Sequence, residues 1–77
     1  EFSDLADKVA TLTPAQYKVL CMLRDGLLNK QIGYSLGIAE KTVKTHITSI
    51  FRKLDISNRT QAVIIATQLQ LEAPAPK

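Results

Sequence analysis

Val43, Ile47, Ile50 and Leu54 recur at steps of three and four residues, the spacing that lines up side chains along one side of an α-helix. On a wheel of about 100° per residue they fall within a sector of about 60°. That side must be buried, and 40–54 is predicted as a helix. Nearly opposite stand Lys41, Lys44, Thr45, Thr48 and Arg52, with no carboxylate among them. A solvated face ordinarily mixes both signs of charge, so this stripe is suited to something anionic.

The same periodicity places three further helices. Val19, Leu20 and Leu23 form the inner stripe of a helix over 14–24. Its start is marked by Thr13 as cap, Pro14 at the first helical position and Gln16 completing a capping box. Asp25-Gly26 supplies the chain reversal. Asn29 is read as the cap of a short helix over 30–36, with Ile32 and Leu36 inward, Gly33 permitting close approach of a neighbour, and Gly37 ending it. Only Gly37-Ile38-Ala39 separate it from the 40–54 helix. Two helices joined that tightly, with glycine first and an apolar residue in the middle, have the pattern of a helix-turn-helix.

Beyond a turn at 55–57, Asn58 can cap a last helix reaching about residue 70, with Gln61 three residues on. Its apolar residues Ala62, Val63, Ile64, Ile65, Ala66 and Leu69 wrap around more of the helix than one core contact uses. Ala62, Val63 and Ala66 are assigned inward. Ile64, Ile65, Gln68 and Leu71 are assigned outward, toward a second protein chain. Residues 1–11 read as a linker or N-terminal extension, in which Phe2, Leu5, Ala6 and Val9 allow one or two helical turns. The tail 72–77 alternates proline with small residues and is expected to be disordered. The predicted architecture is all-α, a four-helix bundle containing a helix-turn-helix, with 12–71 as the domain.

Composition narrows the function. A chain of 77 residues holds one domain, close to the size at which a single core just suffices. Cys21 is the only cysteine, so no internal disulfide and no cysteine metal cluster can form, which fits a reducing, cytoplasmic setting. No apolar run approaches the roughly 18 residues of a membrane helix, and the opening EFSDLADK lacks the features of a secretory signal. His46 lies beside the apolar sector, with no second histidine to share a metal. Asp25, Glu40 and Asp55 have no nucleophile or base at a useful spacing, so neither an enzyme nor a cofactor is expected. The net charge is +3, but it is concentrated. Between Asn29 and Arg59 six basic residues face two acidic ones, while the remainder of the chain sums to −1. A positive centre on an otherwise balanced chain is the footprint of a nucleic-acid partner.

The residues Leu12-Thr13-Pro14, Val19-Leu20, Gly26, Asn29-Lys30, Ile32, Leu36-Gly37-Ile38, Thr42-Val43-Lys44, His46, Lys53-Leu54, Asn58-Arg59-Thr60 and Ala62-Val63 together resemble, in order and spacing, the LuxR-type (GerE- or FixJ-type) helix-turn-helix domain. The resemblance covers roughly 11–69. It implies a bacterial DNA-binding output module of a transcriptional regulator, binding inverted half-sites of double-stranded DNA as a homodimer and working with RNA polymerase. It also implies an upstream receiver or sensor segment outside this chain. A two-component response regulator is the first reading of that context and an acyl-signal quorum-sensing regulator the alternative; a helical protein-interaction module is the rival from another class. The chain departs from the family at Gln16 and Gln31, where an acidic residue is usual, at Gly33, where alanine is usual, and at Ala39, where a hydroxyl residue commonly caps the recognition helix.

Lys44 projects from the middle of the stripe, where a lysine can donate to guanine O6 or N7 in the major groove. The resemblance extends base contact to Lys41, Thr45 and Thr48. Lys30, Thr42, Arg52, Lys53, Asn58 and Arg59 are assigned to phosphates, which fix register without carrying sequence information. By the resemblance, the last helix makes the dimer contact through Ile64, Ile65, Gln68 and Leu71.

Overall fold

In the computed structural model, which describes residues 2–69, the chain forms α1 (Phe2–Ala10), α2 (Pro14–Arg24), α3 (Asn29–Leu36), α4 (Glu40–Leu54) and α5 (Arg59–Gln68). No strand occurs among the described residues, and the fold is all-α. Helices α2 to α5 are the four that the apolar pattern predicts. The fifth, α1, occupies the stretch read as linker or extension. A helix of nine residues is marginal alone; this one has Asp4 in its first turn and Lys8 in its last, both favoured by the helix dipole. It packs on α4 and adds Val9 to the core, with Leu5 one turn earlier against the same cluster.

The capping box at α2 forms as the sequence indicates. The Gln16 amide donates to Thr13 Oγ1 at 3.2 Å and the Thr13 amide to Gln16 Oε1 at 3.1 Å. At its other end Gly26 takes φ 85°, and the Leu27 amide reaches back to the Met22 carbonyl at 3.1 Å, which satisfies an orphan carbonyl of the last turn.

The cap of α3 differs from the prediction. Leu28 is the capping residue, and Asn29 is already helical. Leucine has no acceptor to offer the first turn, so only half of a capping pair exists: Gln31 Oε1 accepts from the Leu28 amide at 2.7 Å. The carboxamide of Asn29 is engaged elsewhere, accepting from Arg59 Nη1 at 2.6 Å. Asn58 does cap α5, its Oδ1 accepting from the Gln61 amide at 2.9 Å.

The core is aliphatic and centred on α2 and α4, which pack on each other; α5 lies against α2, and α3 against α4. Val19, Leu20, Leu23, Ile32, Val43, Ile50 and Leu54 are buried to within about one per cent. Ala62 and Ala66 let α5 approach, and Ile65 fills the space between it and the rest. The prediction that Ile65 points outward is therefore corrected, since it is only 6% exposed. On a helix with five consecutive apolar residues the wheel left Val63 and Ile65 to compete for the interior, and the larger side chain took it.

Candidate nucleic-acid interface

The turn between α3 and α4 is fixed by backbone geometry. Gly37 takes φ 71°, the left-handed region that glycine enters without steric cost, and the Ile38 amide donates to the Gly33 carbonyl at 2.9 Å. A methyl group at Gly33 would stand 2.8 Å from the Ile38 carbonyl oxygen and 3.5 Å from Val43 Cγ2. The absence of a side chain there lets α3 press onto the turn and the first part of α4. Ala39 begins α4 with no side-chain cap. Glu40, in the first turn, is placed where the helix dipole favours negative charge.

With Val43, Ile47, Ile50 and Leu54 buried, α4 has one rotational setting. That setting leaves Lys41, Thr42, Lys44, Thr45, Thr48 and Arg52 exposed. The ion pair among the described residues joins Arg24 and Asp25 at 3.2 Å, on another part of the fold, so the stripe is not ion-paired. Its two central threonines are not free rotors. Thr45 Oγ1 donates to the Lys41 carbonyl at 3.2 Å and Thr48 Oγ1 to the Lys44 carbonyl at 3.0 Å.

Lys30, in the first turn of α3, is exposed. Two other cations assigned to phosphate are engaged within the fold. Lys53 Nζ donates to the Thr11 carbonyl at 3.1 Å and to Gln16 Oε1 at 2.8 Å, tying the end of α4 to the start of α2. Arg59 donates through Nη1 to Asn29 and through Nη2 to the Leu27 carbonyl, clamping α5 to the loop between α2 and α3. Both are read here as scaffold residues, because their donors are engaged by acceptors of other segments: Thr11 and Gln16 for Lys53, Leu27 and Asn29 for Arg59. Asn58 is exposed and its first role is the cap of α5.

On the outer side of α5, Ile64 is 50% exposed and Gln68 is exposed. Leu71 and the tail 72–77 lie outside the described residues. Sequence reasoning passed over Tyr34, which is 92% exposed on α3, and Leu28, 66% exposed. Tyr34 stands one turn after Lys30 on the same polar face, and that spacing was the available signal. His46 is half-buried. Cys21 is buried in the core; burial pushes its thiol up, against opposing effects of Arg24 and a hydrogen bond with Tyr17. No group of three or more metal-ligating side chains occurs among the described residues, and no described helix is long and apolar enough to cross a membrane.

The chain matches the family described as bacterial regulatory proteins, luxR family, over residues 10–66. It is 52% identical over 56 residues to the transcriptional regulatory protein LiaR of Bacillus subtilis, an alignment covering 73% of this chain and 26% of that protein. It is 40% identical over 68 residues to the DNA-binding transcriptional activator DevR/DosR of Mycobacterium tuberculosis, covering 88% of this chain and 31% of the relative. The HTH-type transcriptional regulator MalT of Vibrio cholerae is 40% identical over 62 residues, 80% of this chain but 7% of that protein. The chain thus spans a third or less of the relatives it matches.

Proposed function

We propose, since the chain belongs to the luxR family of bacterial regulatory proteins and is a helix-turn-helix domain of that family, that it binds double-stranded DNA in a sequence-specific manner with α4 in the major groove and α3 crossing the backbone. The observation that carries this reading is the stripe of Lys41, Lys44, Thr45, Thr48 and Arg52 opposite the buried face of α4. Lys41, Lys44, Thr45 and Thr48 address base edges, which alone carry sequence information. Lys30, Thr42 and Arg52, with the exposed amide edge of Asn58, address phosphates.

The functional unit on DNA is a homodimer on inverted half-sites, joined through the outer side of α5 with Ile64 and Gln68 at its centre. Residues 12–71 constitute the DNA-binding domain, and the preceding stretch connects it to an upstream receiver of a cytoplasmic two-component response regulator. The resemblance and the transcriptional regulators among its relatives support that context. Phosphorylation upstream then controls dimerisation or access to α4, and the bound domain acts on RNA polymerase.

Selection of bound fragments from a pool of random duplexes tests this reading. Recovery of a two-fold symmetric sequence with a fixed half-site spacing is the expected result. Recovery of unrelated sequences with no common element would refute base reading.

A further inference from the structure

The two threonines at the centre of the stripe differ from free hydroxyl side chains in a way that bears on which base they select. A threonine hydroxyl has one proton. In Thr45 that proton is directed to the Lys41 carbonyl at 3.2 Å, and in Thr48 to the Lys44 carbonyl at 3.0 Å. Each oxygen is thereby turned back along the helix and each side chain held in one of its two helical rotamers. In this geometry the proton of each hydroxyl is spent within the helix rather than on a base edge. Both residues are exposed, and the γ-methyl group is the part of each side chain that no hydrogen bond engages.

In the major groove thymine alone presents a methyl group, and guanine presents two acceptors that need donors. Donors on this face are supplied by Lys41 and Lys44. Resting on the DNA-binding function proposed above, we infer that Thr45 and Thr48 are thymine-methyl readers, which select thymine by apolar contact and make no donated hydrogen bond to DNA. Three residues of helix separate them, about 4.5 Å of rise, comparable to the roughly 3.4 Å between bases on one strand. The two methyl groups therefore address thymines one or two steps apart, beside the guanine taken by Lys44.

The test uses the 77-residue chain and the duplex recovered from the random pool. That duplex is remade with each thymine in turn replaced by uracil, which removes the 5-methyl group and leaves base pairing unchanged. Losing one methyl contact is expected to weaken binding about fourfold, at one or two thymines in each half-site and nowhere else. Thr45→Val and Thr48→Val keep the methyl group and are expected to keep both affinity and uracil sensitivity. Thr45→Ser and Thr48→Ser keep the hydroxyl and are expected to lose uracil sensitivity at their own thymine. Both sites are exposed, and valine, serine and threonine have similar helix propensity, so the variants fold; the uracil scan on the unmodified chain needs no variant. A recovered site whose affinity is unaffected by every uracil, a site without thymine, or valine variants that weaken binding while serine variants preserve it overturns the inference. Failure to recover any duplex overturns the DNA-binding reading itself, and the two failures are distinguishable.

Discussion

Lys53 and Lys44 lie on the same helix and carry the same charge, yet Lys53 is hydrogen-bonded within the fold while Lys44 is exposed. Replacing Lys53 by alanine removes two hydrogen bonds from an ammonium group, to Thr11 at 3.1 Å and to Gln16 at 2.8 Å. Hydrogen bonds to a charged group contribute about 1.5–3 kcal/mol each when shielded. Lys53 is half-exposed, and Gln16 Oε1 retains the Thr13 amide as a donor. The loss is therefore nearer about 1–2 kcal/mol in total, which for a domain of this size lowers Tm by roughly 5–15 °C. Thermal or urea unfolding of Lys53→Ala reads this directly. The salt dependence of duplex binding, measured well below the lowered Tm, should keep its slope. An unchanged Tm together with a shallower salt slope would refute the assignment and return Lys53 to the phosphates. A companion change, Gln16→Glu, puts a carboxylate where Lys53 Nζ already points and the helix dipole favours it; a gain of about 1 kcal/mol is expected, and in a Lys53→Ala background the share owed to the ion pair should vanish while the dipole share persists.

Three further outcomes follow from the same geometry. Lys44→Ala should leave unfolding unchanged but cost roughly 1–3 kcal/mol of affinity and relax selectivity at one base position, as read by competition among single-substituted sites; equal weakening on all sequences would make it a phosphate contact. Ile64→Glu should leave the monomer folded and weaken dimeric binding, whereas Ile65→Glu, which buries an unpaired charge in the core, should cost on the order of 3–5 kcal/mol and unfold much of the protein; circular dichroism and sedimentation separate the two. Asp55 ends α4 at φ 57°, where a side chain is strained and a negative charge opposes the dipole, so Asp55→Gly should stabilise by about 1 kcal/mol in urea unfolding.

Where one interaction decided a feature, it could be read from the chain. The 40–54 helix follows from four apolar residues at helical spacing, and the tight turn from Gly37-Ile38-Ala39, whose carbonyls and amides close the reversal. The stripe was legible for the same reason, since fixing the buried face fixes the opposite one. Features that depend on two distant segments were not. Nothing near Arg59 in sequence announces that Asn29, thirty residues earlier, will accept its hydrogen bond, and Asn29 beside a helix start looks like a cap until that partner is known. Lys53 gave a partial warning, because on the wheel it stands about 130° from the centre of the stripe. Ile65 was misplaced because a helix with five apolar residues in succession has no unique inner face until α2 is packed against it. Helix α1 was legible only as one or two turns, because a helix of nine residues is marginal alone and gains most of its stability by docking on α4.

Whether the stripe of α4 reads sequence is tested most directly by titrating the selected duplex and a scrambled duplex of equal length at several salt concentrations. Lys30 and Arg52 alone should contribute a slope of log K against log[salt] of about −1.8 per protomer, on both duplexes, and the selected site should bind at least about a thousandfold more tightly. Equal affinity for the two duplexes, or binding indifferent to salt, would contradict this role of the stripe.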